Sequence, residues 1–151
     1  MTTSEERFKV IPYVYALFFR EGKVLLSRRY NTGFKDGQYS VPGGHVEKNE
    51  TAKDGLCREM KEELGVDLAC EDVALEHVMY RLQDEQERID FFFIIKKWNI
   101  EPQNKELEKC DDLAWFSADE LPDNTVDYVQ VALNRCRENE TYSEFGWEER
   151  K

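Results

Sequence analysis

The sequence has no long hydrophobic run. Its longest apolar stretches, residues 10–19 and 89–95, are far shorter than the roughly 20 residues that span a bilayer as a helix. The first nine residues are polar and lack the positively charged and apolar segments of a signal peptide. We therefore expect a soluble, cytoplasmic protein of a reducing compartment, with no membrane partner.

The sequence also lacks the cysteine pairs that are typical of metal and redox motifs. Its four cysteines are Cys57, Cys70, Cys110 and Cys136. They form no C-x-x-C pair and have no nearby histidine partners, which argues against a zinc site and against dithiol chemistry. We expect them to be small core residues.

Positive charge is scarce. The 21 Lys and Arg residues against 32 Asp and Glu residues give a net charge of −11 at pH 7, which repels the backbone of duplex nucleic acid. A small polyphosphate is repelled as well, so an enzyme for such a substrate needs local cations, supplied by metal ions and a few Arg or Lys residues. The 151 residues, 40% of them hydrophobic, suffice for one domain, residues 1–151.

Hydrophobic periodicity predicts the strands. Aromatic and branched residues at 10–19, a turn at 21–22 and an apolar stretch at 23–27 predict a β-hairpin. Further strands are predicted at 39–41 and 113–116, and a strand pair is predicted at 73–82 and 89–98, joined by the charged turn 83–88.

Two segments have helical periodicity. Residues 51–64 predict an amphipathic helix that Asn49 or Thr51 caps and that Gly65 ends in a left-handed conformation. Residues 125–138 predict a second helix, residues 117–120 have capping-box spacing, and the polar tail at about 139–151 is expected to fray. The whole pattern predicts an α/β domain with a mixed β-sheet between helices.

Three glutamates crowd one side of the first predicted helix. Glu59, Glu62 and Glu63 stand at i, i+3 and i+4, beside the apolar stripe. Clustered carboxylates need compensating cations, and hard oxygen ligands favour Mg²⁺ or Mn²⁺. Arg58 lies one turn from Glu62 and is placed to form an ion pair with it. A solvated helix face is the alternative, but the Gly-Gly corner before the helix and Glu50 at its start favour a metal site.

Residues 44–66 have the spacing G-x5-E-x7-R-E-U-x-E-E-x-G-U, where U is aliphatic. This segment resembles the Nudix box at every constrained position. The resemblance implies an α/β/α sandwich, dependence on Mg²⁺ or Mn²⁺, and hydrolysis of a nucleoside diphosphate linked to another moiety.

The resemblance also implies roles by motif position. Glu59, Glu62 and Glu63 correspond to the metal-binding set, and Glu59 or Glu63 also acts on the attacking water. Gly43 offers a backbone carbonyl to the metal. The remaining positions, Arg58, Gly44, Glu50 and Gly65, correspond to residues that support this set.

Outside the box the sequence is similar to MutT-type nucleoside triphosphate pyrophosphohydrolases. That similarity implies a phosphate contact from Arg29 and a further metal ligand at Glu106, for which Glu108 is the rival. A nucleobase pocket needs an aromatic or aliphatic platform and a polar group that reads the base edge. The candidates are Tyr80, Phe92, Leu121 and Asn124, with Asp123 competing with Asn124 and with Phe92 and Leu121 read first as core residues.

These observations leave three functions open. The first is hydrolysis of a nucleoside triphosphate to the monophosphate and pyrophosphate. The second is cleavage of ADP-ribose, a nucleotide sugar or a dinucleoside polyphosphate at the same site. The third is a nucleotide sensor without turnover, which the intact set of box glutamates disfavours. The expected partner is a small nucleotide, and the chain is expected to be a monomer or homodimer. His45 and His77 are expected to play no essential part.

Overall fold

The computed structural model describes residues 7–150 of the chain, which contain nine strands and two α-helices. The helices are α1 (Ala52–Leu64) and α2 (Asp127–Arg137), and two short 3-10 helices cover Cys70–Asp72 and Trp147–Glu149. The strands are β1 (Val10–Leu17), β2 (Phe19–Arg20), β3 (Lys23–Arg29), β4 (Tyr39–Ser40), β5 (Gly43–His45), β6 (Val73–Gln83), β7 (Gln86–Ile95), β8 (Cys110–Ser117) and β9 (Tyr142–Phe145).

Five strands form a mixed sheet in the order β5-β1-β7-β6-β9. The β1–β7 and β6–β9 pairs are parallel, and the β1–β5 and β6–β7 pairs are antiparallel. The predicted mixed sheet is confirmed. Its strand β1 has neighbours on both edges and its residues 14–17 are fully or almost fully buried, which explains their nearly continuous apolar sequence.

The other four strands form an antiparallel sheet around β3, which pairs with β2, β4 and β8. The predicted hairpin of residues 10–19 with 23–27 is therefore wrong for most of its first strand. Only Phe19 and Arg20, in β2, pair with β3. The remainder of that segment is β1, which lies in the mixed sheet because side chains on both of its faces pack in the core.

The two helices lie on opposite faces of the mixed sheet. Along β1, Val14 and Ala16 belong to the core that contains the apolar stripe of α1. Tyr15 and Leu17 point to the other face, in the core that contains the apolar residues of α2. Because the side chains of β1 alternate between the two faces of the sheet, the protein has one apolar core on each face. The predicted α/β/α arrangement is confirmed.

Helix α1 has defined ends. Thr51 is the N-cap: its hydroxyl accepts a hydrogen bond from the backbone of Asp54 at 3.1 Å, and the Asp54 carboxylate accepts one from the Thr51 backbone at 3.2 Å. Gly65 ends the helix with φ of 70°, the left-handed conformation that glycine adopts without strain. These two predicted ends are confirmed, with Thr51 and not Asn49 as the cap.

Three other expectations are wrong. Residues 142–145 do not fray but form β9, because they pair with the edge of β6. Residues 117–120 end β8 and turn without starting a helix. The expectation that the cysteines are core residues is wrong for Cys70, which is exposed; the other three are partly buried, and Cys136 packs against the core. Residues 1–6 and 151, also part of the predicted domain and tail, lie outside the described residues. Within residues 7–150, no helix is long and apolar enough to cross a membrane.

Candidate active site

A cleft of about 770 Å³ brings together most of the residues singled out by sequence. Its walls come from β1, β3, β5 and α1, from the adjoining strands β6 and β7, and from the loop before β8. The predicted site residues that line it are Arg29, Gly43, Gly44, Arg58, Glu59, Glu62, Glu63 and Glu106.

The Gly43–Gly44 corner lets the backbone approach the helix carboxylates. A Cβ atom on Gly44 would lie 2.5 Å from Oε1 of Glu59, so a larger residue at this position would displace the Glu59 carboxylate. A Cβ atom on Gly43 would meet the carbonyl oxygen of Val14 and the ring of Tyr15. Gly43 is therefore required for β5 to pair with β1, and Gly44 lets β5 lie against the Glu59 carboxylate of α1.

The guanidinium of Arg58 gathers several of the carboxylates. It donates to Glu50 at 2.8 and 3.1 Å, to Glu59 at 3.0 Å and to Glu62 at 3.4 Å. It also donates to the carbonyl of His45 at 3.1 Å, which ties α1 to β5. The predicted Arg58–Glu62 ion pair is confirmed, but the shorter contacts are with Glu50 and Glu59, so Arg58 is bound most closely to those two residues.

Glu63 is the buried member of the cluster. Burial raises its pKa well above the usual range, and the nearby carboxylates of Glu59 and Glu106 raise it further, while a backbone hydrogen bond from Gly43 opposes them. Within the described residues, Oε2 of Glu63 is one of two buried side-chain atoms with no hydrogen-bond partner. Such an oxygen, surrounded by like charges, favours a cation beside it.

Glu106 is brought to this group by a loop that docks on the end of α1. The backbone amides of Gln103 and Lys105 donate to the carbonyls of Leu64 and Glu63, at 3.0 and 2.8 Å. The side chain of Asn104 accepts from the backbone of Glu106 at 3.0 Å. Glu106 lines the cleft whereas Glu108 does not, which favours Glu106 in the choice between them.

The donor set suits a hard divalent cation. Carboxylate oxygens and a nearby backbone carbonyl are the ligands that Mg²⁺ and Mn²⁺ prefer. The buried Oε2 atom of Glu63, which has no hydrogen-bond partner, is such an oxygen. In residues 7–150 no three acidic, His or Cys side chains already meet as a tight ligand group. The fit therefore rests on Glu63 and its charged neighbours, Glu59 and Glu106.

Arginine and lysine side chains also line the cleft and supply the local positive charge that a polyphosphate needs. Arg28, Arg29 and Lys109 all line the cleft. Arg29 donates through Nε to the carbonyl of Phe34 at 2.6 Å and through Nη2 to Thr32 at 3.2 Å. These contacts fix its guanidinium at the mouth of the loop between β3 and β4.

Tyr80 and Asn124 do not belong to the cleft. Tyr80 lines a separate pocket of about 250 Å³ with Trp147, because it faces β9 and the C-terminal segment. The side chain of Asn124 donates to the carbonyl of Gly37 at 2.9 Å and so anchors the loop before β4. The structure therefore does not bring these two predicted base-pocket residues to the cleft. Phe92 is buried and stacks on Tyr15, as expected for a core residue.

Sequence reasoning missed one end of the cleft. Tyr13, Tyr15, Arg81, Arg88 and Tyr128 line it. Arg81 and Arg88 are opposite each other on β6 and β7, and Arg81 is bound in the core to Asp90 at 2.7 and 3.1 Å. The available signal was the presence of charged residues at core-facing positions of otherwise apolar strands.

The two histidines have different surroundings. His77 is fully buried, is hydrogen-bonded to the Glu140 carbonyl and the Ser143 hydroxyl, and does not line the cleft. His45 lines the cleft between its two ends: partial burial and the charge of Arg88 lower its pKa, and Glu59 opposes them.

The model of the NUDIX domain matches residues 9–133. The chain belongs to the NUDIX domain family. Over 69 residues it is 35% identical to the CTP pyrophosphohydrolase of Escherichia coli, covering 46% of this chain and 51% of that enzyme. It is therefore aligned with about half of that relative.

Over 86 residues the NUDIX chain is 29% identical to the 8-oxo-dGTP diphosphatase of Proteus vulgaris, covering 57% of this chain and 75% of the other. The crystal structure of a MutT NUDIX hydrolase from Burkholderia pseudomallei superimposes with a TM-score of 0.76 at 26% identity, covering 83% of this chain and 97% of that one. The expected α/β NUDIX fold with its MutT-type neighbours is confirmed.

Proposed function

We propose that this NUDIX chain hydrolyses a phosphoanhydride bond in a nucleoside diphosphate-linked substrate, with a divalent cation. The substrate that we favour is a nucleoside triphosphate, cleaved to the monophosphate and pyrophosphate. The observation that carries the proposal is the buried, unpartnered oxygen of Glu63 beside Glu59 and Glu106 in a cleft that also holds Arg29. The relatives named for CTP and 8-oxo-dGTP support the substrate class.

The glutamates of the cleft bind the cation and act on the attacking water in this proposal. Glu59, Glu62, Glu63 and Glu106 would hold the cation together with the backbone carbonyl of Gly43. Mg²⁺ or Mn²⁺, when bound, neutralises phosphate oxygens and acidifies water. Either Glu59 or Glu63 accepts the proton of the attacking water.

Other residues orient these groups and the substrate. Arg58 keeps Glu59 and Glu62 beside β5 through its hydrogen bonds. Arg29, held by Phe34 and Thr32, is placed to bind a non-bridging phosphate oxygen. Because the chain carries a net charge of −11, these local cations are needed for a polyphosphate to enter.

The test is turnover on a substrate panel. Purified protein with Mg²⁺ would be incubated with canonical and oxidised nucleoside triphosphates, ADP-ribose, nucleotide sugars and dinucleoside polyphosphates, and the products separated by chromatography. We expect a nucleoside monophosphate and pyrophosphate from a triphosphate, and no product in EDTA. Cleavage of ADP-ribose or a dinucleoside compound alone would replace the substrate class, and no cleavage at all would favour a sensor.

Removing one carboxylate should remove activity without unfolding the chain. Glu62→Gln and Glu63→Gln should each lower turnover by at least roughly 100-fold, because a metal ligand or proton acceptor is lost. Glu108→Gln is the matched control, since Glu108 is exposed on the neighbouring loop and does not line the cleft. Near-normal turnover in Glu62→Gln and Glu63→Gln, with circular dichroism confirming the fold, would refute the site assignment.

A further inference from the structure

The end of the cleft away from the glutamates holds a guanidinium with unused donors. Nη1 of Arg88 donates to the hydroxyl of Tyr13 at 2.9 Å, and Nη2 donates to Gln86 at 3.1 Å. Its Nε is buried and has no hydrogen-bond partner among the described residues. A guanidinium has five N–H donors, so these two contacts leave most of its hydrogen-bonding capacity free, and a buried unpaired donor is costly.

Each of the three guanidinium nitrogens of Arg81, the other arginine at this end, already donates a hydrogen bond. Arg81 donates to both oxygens of Asp90 and to Gln83. Its guanidinium also lies 3.8 Å from the ring centre of Tyr128. Arg81 therefore lines the cleft as a structural residue whose charge is paired with Asp90. Of the two arginines, Arg88 is the one with donors left for a ligand.

Aromatic rings flank Arg88. The ring of Tyr13 lies 6.0 Å from that of Tyr15 and nearly parallel to it, and 4.1 Å from the ring of His45. The Arg88 guanidinium is 5.4 Å from the centre of the Tyr13 ring. Flat π surfaces beside a planar group of donors are the elements that recognise a nucleobase by stacking and by its polar edge.

The separation from the glutamates matches a nucleotide. Strand β7, which carries Arg88, is two strands from β5, which carries the Gly43–Gly44 corner, and two strand spacings are about 10 Å. His45 lies between the two ends: its carbonyl accepts from Arg58, and its ring is next to that of Tyr13, whose hydroxyl accepts from Arg88. A sugar therefore has room between a phosphate at the glutamates and a base at Arg88.

We propose that Arg88 determines base specificity by donating to two adjacent acceptor atoms on the base edge, with Tyr13 as the neighbouring ring surface. This rests on the proposed function for the orientation of the nucleotide. Guanine has such a pair in O6 and N7, and cytosine has one in O2 and N3. Adenine places an amino donor beside N7, and uracil places an N–H donor between its two carbonyl oxygens. The site selects guanosine or cytidine nucleotides over adenosine and uridine nucleotides.

The first test is binding without metal or turnover. Isothermal titration in EDTA would measure the affinity of the full chain for GMP, CMP, AMP and UMP. We expect GMP or CMP to bind most tightly, and the tighter of the two identifies the base. Arg88→Ala should reduce that preference by about 10- to 100-fold. Arg88→Lys should not restore it, because lysine keeps the charge but lacks the planar pair of donors.

The controls separate base reading from a structural or phosphate-binding role. Arg137→Ala is the matched arginine variant, since Arg137 is outside the cleft and pairs with Asp119. Equal weakening of all four monophosphates by Arg88→Ala would show that Arg88 binds phosphate or supports the fold, and would overturn the proposal. Preference for AMP or UMP, or no binding of any monophosphate, would overturn it as well.

Steady-state kinetics distinguish the two proposals. If the four nucleoside triphosphates are hydrolysed with equal kcat/KM, the proposed reaction stands and the base assignment fails. If none is hydrolysed while GMP or CMP still binds through Arg88, the base assignment stands and the proposed reaction fails. We expect Arg88→Ala to lower kcat/KM for the triphosphate of the preferred base more than for the other three, mainly through KM.

Discussion

Arg58 shows how a single side chain arranges a site of like charges. Its guanidinium contacts Glu50, Glu59 and Glu62, and its own pKa is raised, first by the hydrogen bonds to Glu50 and next by those to Glu59. Arg58 is thus firmly cationic. It makes no contact with Glu63, so the Glu63 carboxylate needs another cation to balance its charge. This difference between Glu50 and Glu63 is visible in their pKa values, which shift in opposite directions.

The contact between Glu50 and Arg58 predicts a pH-dependent contribution to stability. Hydrogen bonds from Arg58, and then one from the Glu47 backbone, lower the pKa of Glu50 below its ordinary value of 4.5. A lowered folded-state pKa stabilises the fold above the unfolded pKa, and this is lost as pH falls through the folded pKa. Glu50→Gln should therefore be less stable than wild type at pH 7, and the gap should close below about pH 4.

Urea denaturation at a series of pH values between 7 and 3 would measure that gap, with Glu108→Gln as an exposed control. A difference in unfolding free energy that stays constant or widens as pH falls would contradict the assignment of Glu50 as an ionised partner of Arg58.

The residues that sequence reasoning placed correctly are those whose positions depend on local geometry. Glu59, Glu62 and Glu63 share a helix side because of the 3.6-residue period, which needs no knowledge of the rest of the chain. Tyr80 lies outside the cleft because it faces β9, whose pairing with β6 sequence spacing did not reveal. Arg88 was missed because its neighbours, Tyr13 and Arg81, come from other strands.

At the scale of elements, α1 is the part of the fold that the sequence specified most fully. Its cap, its apolar stripe and its terminal glycine were all readable, because each acts within a few residues. The strands were less predictable. Apolar segments at 10–19 and 23–27 suggested a hairpin, but the choice between a hairpin and two sheets depends on what each face packs against.

The capping box of α1 gives a prediction at this scale. Thr51→Ala should lower the unfolding free energy by about 1 kcal/mol, because the amide of Asp54 loses its hydrogen-bond acceptor. Thr51→Ser retains a hydroxyl and should stay close to wild type. Urea denaturation followed by circular dichroism measures both, and an equal loss in the two variants would show that the hydroxyl is not the stabilising group.

At the scale of the whole molecule, the C-terminal segment completes the mixed sheet. β9 covers the edge of β6, and the Trp147 indole donates to the carbonyl of Tyr80 at 2.9 Å. The buried ring of His77 depends on the same segment: Nδ1 must donate to the Glu140 carbonyl, at 2.8 Å, so Nε2 accepts from the Ser143 hydroxyl, at 2.7 Å.

A chain that ends after residue 139 should therefore be less stable by about 2 kcal/mol or more, since His77 and the edge of β6 lose their partners. The exposed edge should also promote association at high concentration. Ser143→Ala alone should cost about 1 kcal/mol. Denaturation and analytical ultracentrifugation would test this, and a truncated chain that is monomeric and as stable as the full chain would contradict it.

The docking of the 103–105 loop on the end of α1 has a consequence for the order of events during refolding. Helix α1 can form from local contacts within microseconds, but Glu106 reaches Glu63 only after β6, β7 and the loop have assembled, and contacts distant in sequence form late. A refolding chain thus regains its helical circular dichroism signal before Glu106 has joined the other carboxylates of the site. Recovered catalysis reports the last step of assembly, which spectroscopy of the helix alone does not detect.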